Sequence, residues 1–225
     1  MEQMKRYAVY YAPEAGPFAT AGARWLGWDP ATGRSVPQPE LGLDLAAFTT
    51  DPRKYGFHGT LKPPFRLAAG VTQADLSASV ATLARQLSAV GTPDLQFVDL
   101  EGFLALTPHG DNTALTALAA EVVAQLDPFR APLSEVEIAR RRPERLSPRQ
   151  RELLDRYGYP HVMEEFRFHL TLSNALTTAE HARLRPLAEA HFTPHLPQPF
   201  RLKDLCLFGE AADGRLHLLH RYPLT

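Results

Sequence analysis

Apolar and polar positions alternate differently in different parts of the chain, and the changes of period mark out its elements. Tyr7–Tyr11 (YAVYY) is aromatic and β-branched, the composition of a first strand. Residues 12–52 scatter prolines and glycines around two tryptophans, which predicts loops with at most a short helix. Residues 55–67 read as a strand; its Pro63-Pro64 pair removes two ladder donors, so the strand should end there or lie at an edge. Leu76, Val80, Leu83 and Leu87 recur at helical spacing within a predicted helix over 72–90, with Thr72 as N-cap and Gly91 as stop. Two short strands broken near Glu101-Gly102 follow, then a helix over 113–126 ended by Asp127-Pro128.

Beyond it, residues 127–161 carry an arginine run, several prolines and one predicted helix over 147–157, and read as an insertion or lid. The pattern then resumes: a strand over 165–173, a helix over 178–192, and a hairpin of 200–208 with 216–222 around Asp213-Gly214. Strand, helix, two strands therefore occurs twice. This order predicts an α+β fold with a bilobal pseudo-twofold repeat, two largely antiparallel sheets around a central cleft and helices on the outside. Residues 1–225 are read as one unit of two lobes with the insertion at about 127–161.

Composition narrows the class. Of 225 residues 44% are hydrophobic and 22% charged, as in a globular protein with a substantial core. A formal net charge of -1 argues against long nucleic acid as partner but leaves room for a small phosphorylated substrate met by local arginines. One cysteine, Cys206, forbids an intrachain disulfide and fits a reducing compartment. The first eleven residues have no apolar core of leader length, and no stretch nears the ~20 apolar residues of a membrane span, so a cytoplasmic protein without membrane association is expected.

Two copies of His-x-Thr-Leu carry the candidate chemistry: His58-Gly-Thr60-Leu61 and His169-Leu-Thr171-Leu172, each preceded by Phe, one per half. Strand side chains alternate, so His58 and Thr60 share one face and His169 and Thr171 another. A single His-x-Thr in a strand is an ordinary structural feature. Two matched copies, brought together by a pseudo-twofold, would put two imidazoles and two hydroxyls across one groove. That set suits phosphodiester chemistry: one histidine as base, one as acid, and hydroxyls on the non-bridging oxygens. Alternation also puts Lys62 on the His58 face and Arg167 on the His169 face, and Tyr11 and Tyr55 are candidate groove aromatics. Arg140 and Arg141, in the arginine run, would suit a second phosphate; the alternative is a solvated loop balanced by Glu135, Glu137 and Glu144. The remaining histidines lack metal-ligand spacing, and no Walker loop, dinucleotide fingerprint or nucleophile elbow is present, so neither metal nor cofactor is expected.

The motifs FHGTLKPPF and FHLTLS resemble the two-histidine (2H) phosphoesterase superfamily, which includes RNA ligase T-like proteins and cyclic phosphodiesterases. RYAVYYAP and KYGFHGTLKPPF resemble more narrowly a bacterial branch found among phosphonate-utilisation genes. The resemblance implies catalytic histidines at His58 and His169 in a central cleft, with Thr60 and Thr171 beside them. It further implies metal-free opening of a small cyclic phosphate, for this branch a ribose cyclic phosphate from carbon–phosphorus bond cleavage. Two alternatives stay open: an RNA-end phosphodiesterase or ligase acting on 2′,3′-cyclic or 2′-5′ linkages, and a phospholigand-binding module without turnover.

Overall fold

The aromatic strand at the start of the chain forms β1 (Arg6–Tyr11) in a computed structural model that describes residues 4–225. Residues 1–3, part of the segment read as lacking a leader core, lie outside the described residues. The order continues α1 (Pro17–Leu26), β2 (Trp28–Asp29), β3 (Arg34–Ser35), α2 (Leu45–Phe48), β4 (Gly59–Phe65), α3 (Gln73–Ala84) and β5 (Val90–Thr92). Then come β6 (Leu95–Leu100), β7 (Phe103–Pro108), α4 (Thr113–Gln125), α5 (Glu135–Arg140) and α6 (Pro148–Tyr157). The chain closes with β8 (Leu170–Ala175), α7 (Thr178–Phe192), β9 (Phe200–Leu202), β10 (Asp204–Glu210) and β11 (Leu216–Pro223).

Reciprocal caps start four of the helices. Thr72 with Asp75, Ser134 with Glu137, Ser147 with Gln150 and Thr177 with Glu180 each satisfy orphan backbone donors at both ends of the box. Two boundaries differ from expectation. The segment over 72–90 stops being helical at Ala84, because Val90–Thr92 is taken as a strand by β9. The supposed loop region holds α1, ten residues long with Pro17 in its first turn, and its Trp25 Nε1 donates to the Leu172 carbonyl at 2.8 Å. Tertiary burial of that tryptophan outweighs the helix-weak composition around it.

The main sheet is antiparallel throughout, in the order β11-β10-β1-β4-β8-β7-β6. It falls into a four-stranded and a three-stranded part joined by a single residue pair, Gly59 with Leu170. β8 lies beside the β6–β7 hairpin that follows β4, while the β10–β11 hairpin that follows β8 is joined to β4 through β1. The predicted repeat is thus an exchange of hairpins about the central pair. Pro63 and Pro64 remain inside β4 but on an edge, the second of the two outcomes expected for them. They lie beyond Gly59, where β8 has already diverged, and where the pairing with β1 slips twice. Missing N–H donors cost little on an edge that has no partner strand.

Helices cover one face. Tyr7, Val9, Tyr11, Leu61, Leu170 and Leu172 enter a continuous core with residues of α1, α3, α4 and α7. The opposite face holds a smaller apolar cluster around Ala8, Tyr10, Cys206 and Phe208. The insertion docks separately: Leu153 of α6 and Val162 pack on Val123 of α4. Among the described residues no helix is long and apolar enough to cross a membrane.

Gly59 makes the central pair possible, since a Cβ there would lie closer than 3.0 Å to the Phe168 ring. Phe168 is buried against Tyr11 and Phe200, so it has little room to yield. Gly59→Ala is expected to cost about 1–3 kcal/mol in urea denaturation as an overpacked site, and Gly59→Val more. An unchanged midpoint for Gly59→Ala would show that the ring moves freely.

Candidate functional site

His58 and His169 stand immediately before the first residues of β4 and β8, so each is adjacent to the one pair that joins the sheet. Antiparallel register about Gly59 and Leu170 sets His58 beside Thr171, and Thr60 beside His169. Gly59 and Leu170 belong to the helix-covered face, so alternation turns all four motif side chains to the other one.

Local hydrogen bonding orients both imidazoles in the same way. His58 Nδ1–H donates to the Gly56 carbonyl at 2.9 Å, and His169 Nδ1–H to the Arg167 carbonyl at 2.8 Å. A carbonyl can only accept, so each Nδ1 carries the proton and, in the neutral ring, each Nε2 keeps its lone pair. For His58 the acceptor comes from a left-handed turn at Gly56, φ 75°. His58 Nε2 and Thr60 Oγ1 lie 3.3 Å apart.

The aromatic neighbour of His58 is Tyr10, whose ring stacks on the imidazole with centroids 3.9 Å apart; Tyr55 lies next, at 6.0 Å. Tyr11 points the other way, into the helix-side core against Phe168 and Phe200, so the expectation that it lines the groove is corrected. Strand parity decides this, since Tyr10 shares a face with Ala8 while Tyr11 shares one with Val9.

Lys62 also departs from its predicted place. Val9 pairs with Lys62 and Tyr10 with Thr60, so a bulge at Leu61 skips one residue and reverses the alternation. Lys62 then shares the face of Val9, is buried, donates to the Val123 carbonyl at 3.1 Å and faces Asp127 at 3.6 Å. Arg167 is exposed at the groove, 3.5 Å from Glu101. Arg140 is exposed on α5, whereas the Arg141 guanidinium lies 4.7 Å over the Tyr159 ring.

A cavity of about 320 Å³ opens on the His169 side, lined by Thr60, Phe103, Glu101, Arg167 and His169, and by Gln150, Tyr159, His161 and Glu165 from α6 and the segment after it. His58 lies at its margin beneath Tyr10 and Tyr55. A larger hollow of about 530 Å³ lies between the start of α1 and Pro194–Pro199, remote from both motifs. The smaller one holds a member of each motif, Thr60 and His169, and is the candidate site for that reason. Tyr10, Glu101, Tyr159, His161 and Glu165 escaped the sequence reading. Only Tyr10 carried a signal, its parity opposite to Tyr11.

Burial drives the His58 pKa down to about 4, against the pull of the Gly56 carbonyl, and the nearby His169 lowers it further. Burial lowers His169 as well, opposed by the Arg167 carbonyl and by Glu101, with His161 adding to the fall. Burial thus favours the neutral form of both imidazoles. Among the described residues no group of three or more His, Cys, Asp or Glu is placed to hold a metal.

A family model described as "Protein of unknown function (DUF1045)" matches residues 60–217. The chain belongs to this family. The DUF1045 match takes in Thr60, His169 and Thr171 and begins just after His58. Two curated relatives are both described as Ribose 1,5-bisphosphate phosphokinase PhnN. That of Janthinobacterium sp. (strain Marseille) is 40% identical over 222 residues, 95% of this chain and 49% of its own length. That of Laribacter hongkongensis (strain HLHK9) is 36% identical over 223 residues, 96% of this chain and 51% of its own. The chain spans about half the length of these relatives. Among solved structures, a crystal structure of a phosphoesterase aligns over 98% of this chain and 99% of its own at 14% identity and a TM-score of 0.46. E. coli LigT complexed with phosphate aligns over 100% and 99%, also at 14% identity and 0.46.

Because His58 is held neutral, the unfolded chain takes up its proton first on acidification. Stability from this group is fully present above about 6.5 and is lost as pH falls towards about 4. Urea midpoints should therefore drop more between pH 7 and pH 5 in the wild type than in His58→Gln. An NMR titration of His58 centred at its ordinary value would overturn the assignment.

Proposed function

We propose that this chain is a two-histidine phosphoesterase that opens a small cyclic phosphate, such as a ribose cyclic phosphate, without a metal. The supporting observation is the single Gly59–Leu170 pair, which relates two His-x-Thr units on one face with both Nε2 atoms unengaged by backbone.

In this reading one Nε2 takes a proton from water as its oxygen attacks phosphorus. The ring P–O bond breaks, and the other imidazole, protonated at Nε2, gives its proton to the leaving oxygen. The product is a phosphomonoester with a free hydroxyl. The Thr60 and Thr171 hydroxyls donate to the non-bridging oxygens, where negative charge grows. Glu101 favours the protonated form of His169, while His58 is the one pushed to about 4, so His169 is assigned as acid and His58 as base. An anionic substrate raises both values on binding, which supplies the acid when it is needed.

The size of the cavity, about 320 Å³, and the net charge of -1 favour a small substrate over a long RNA. The relatives' printed name concerns ribose 1,5-bisphosphate. Opening a cyclic phosphate on a ribose that bears another phosphate leaves a ribose bisphosphate, the class of compound a kinase of that name takes. Their extra length and this chemistry together favour a ribose substrate in phosphonate breakdown.

His58→Ala and His169→Ala should each lower kcat by about 10²–10⁴-fold on a ribose cyclic phosphate while the thermal transition stays cooperative. Activity should survive EDTA. Loss of turnover with chelator, restored by a divalent ion, would sink the metal-free mechanism, and near-normal rates in either variant would remove that histidine from it.

A further inference from the structure

The Tyr10–Tyr55 end of the groove is built from donors. Tyr10 stacks on His58 and Tyr55 lies beyond it, while Tyr159 reaches in from the insertion and lines the same cavity as Thr60. None of the three hydroxyls has a hydrogen-bond partner among the described residues; Tyr10 is buried, and Tyr55 and Tyr159 are half-buried. Among the described residues none of the three hydroxyls is a buried polar atom left without a partner, so each reaches solvent and is open to an acceptor from it.

A guanidinium completes the set. The Arg141 guanidinium lies 4.7 Å from the Tyr159 ring centroid and makes no ion pair among the described residues. Glu210, the carboxylate felt by Tyr10, is taken by Arg6. Stacking on a ring fixes a guanidinium without using its N–H groups, which remain available for a bidentate contact.

We propose that Arg141, held on Tyr159, forms with the hydroxyls of Tyr55 and Tyr159 a subsite for a second phosphate monoester, remote from the scissile phosphate on the same small molecule. The inference rests on the phosphoesterase reading of His58 and His169 and adds to it a requirement for a doubly phosphorylated sugar. Of the arginine run only Arg141 takes this part, since Arg140 stands exposed on α5 and Arg142 turns away in a left-handed conformation, φ 49°.

The test compares a ribose cyclic phosphate bearing a 5-phosphate with the same compound bearing a free 5-hydroxyl. The wild type should prefer the former in kcat/KM by about 10- to 100-fold, the worth of one or two charge-assisted contacts. In Arg141→Ala that ratio should collapse towards one, in Tyr159→Phe it should shrink partially, and in Arg140→Ala it should persist. An equal rate on both compounds, or a ratio untouched by Arg141→Ala, overturns the subsite while leaving the phosphoesterase reading in place. Should neither compound turn over, that reading fails. Calorimetry on the same pair then decides the subsite: tighter binding of the 5-phosphate by wild type than by Arg141→Ala supports it, and equal binding refutes it.

Discussion

One backbone pair, Gly59 with Leu170, holds the two halves of the sheet together, and the geometry of the groove follows from it. Its isolation matters as much as its presence. A longer ladder between β4 and β8 would keep the motif strands side by side over their full length. With a single pair they meet at their first residues and then diverge, which brings His58 and His169 near one another and leaves the space behind them open. The meeting point tolerates no side chain on the β4 residue, because the Phe168 ring already fills the helix face there. A glycine between the catalytic candidate His58 and its threonine is therefore a packing requirement of the joint.

The bulge at Leu61 gives the first motif strand a second task. Up to Thr60 the strand serves the groove; past it Lys62 turns inward and its ammonium meets Val123 and Asp127 at the end of α4. Burial pulls the Lys62 pKa down to about 8 and Asp127 pulls it back. Asp127 in turn engages Arg130, whose other nitrogen donates to the Arg156 carbonyl of α6. The root of the insertion is thereby tied to the strand that starts at the groove, and the aromatic contacts of Tyr159 have a fixed platform. A buried cation is costly unless paired, so removing Asp127 should disturb this platform more than removing an exposed partner would.

Much of this was legible in the residues. The Thr72 cap signature located the start of α3, and the paired His-x-Thr units located both ends of the central joint. Alternation correctly grouped His58 with Thr60 and His169 with Thr171. It failed at Lys62 because a bulge depends on the partner strand, and nothing in GTLKPPF announces where β1 will slip. It could have separated Tyr10 from Tyr11, but both are equally good strand residues and only the covered face distinguishes them. Contributions from the insertion were out of reach: Tyr159, His161 and Glu165 enter the cavity through tertiary docking on Val123, which leaves no periodic trace.

The electrostatics of the groove favour an anion over a neutral ligand. Both histidines are depressed by burial, and the histidine cluster depresses itself further through mutual repulsion of the protonated forms. A neutral ligand leaves that balance unchanged and finds two bases and no acid. A phosphate placed between the imidazoles reverses the dominant effect, because its negative charge compensates the imidazolium that burial disfavours. In the proposed reaction, recognition of the anion and creation of the acid are then one event. The asymmetry needed to choose acid from base does not come from the repeat, which treats both histidines alike. It comes from what differs around them: Glu101 in the β6–β7 turn near His169, and the Tyr10 ring covering His58.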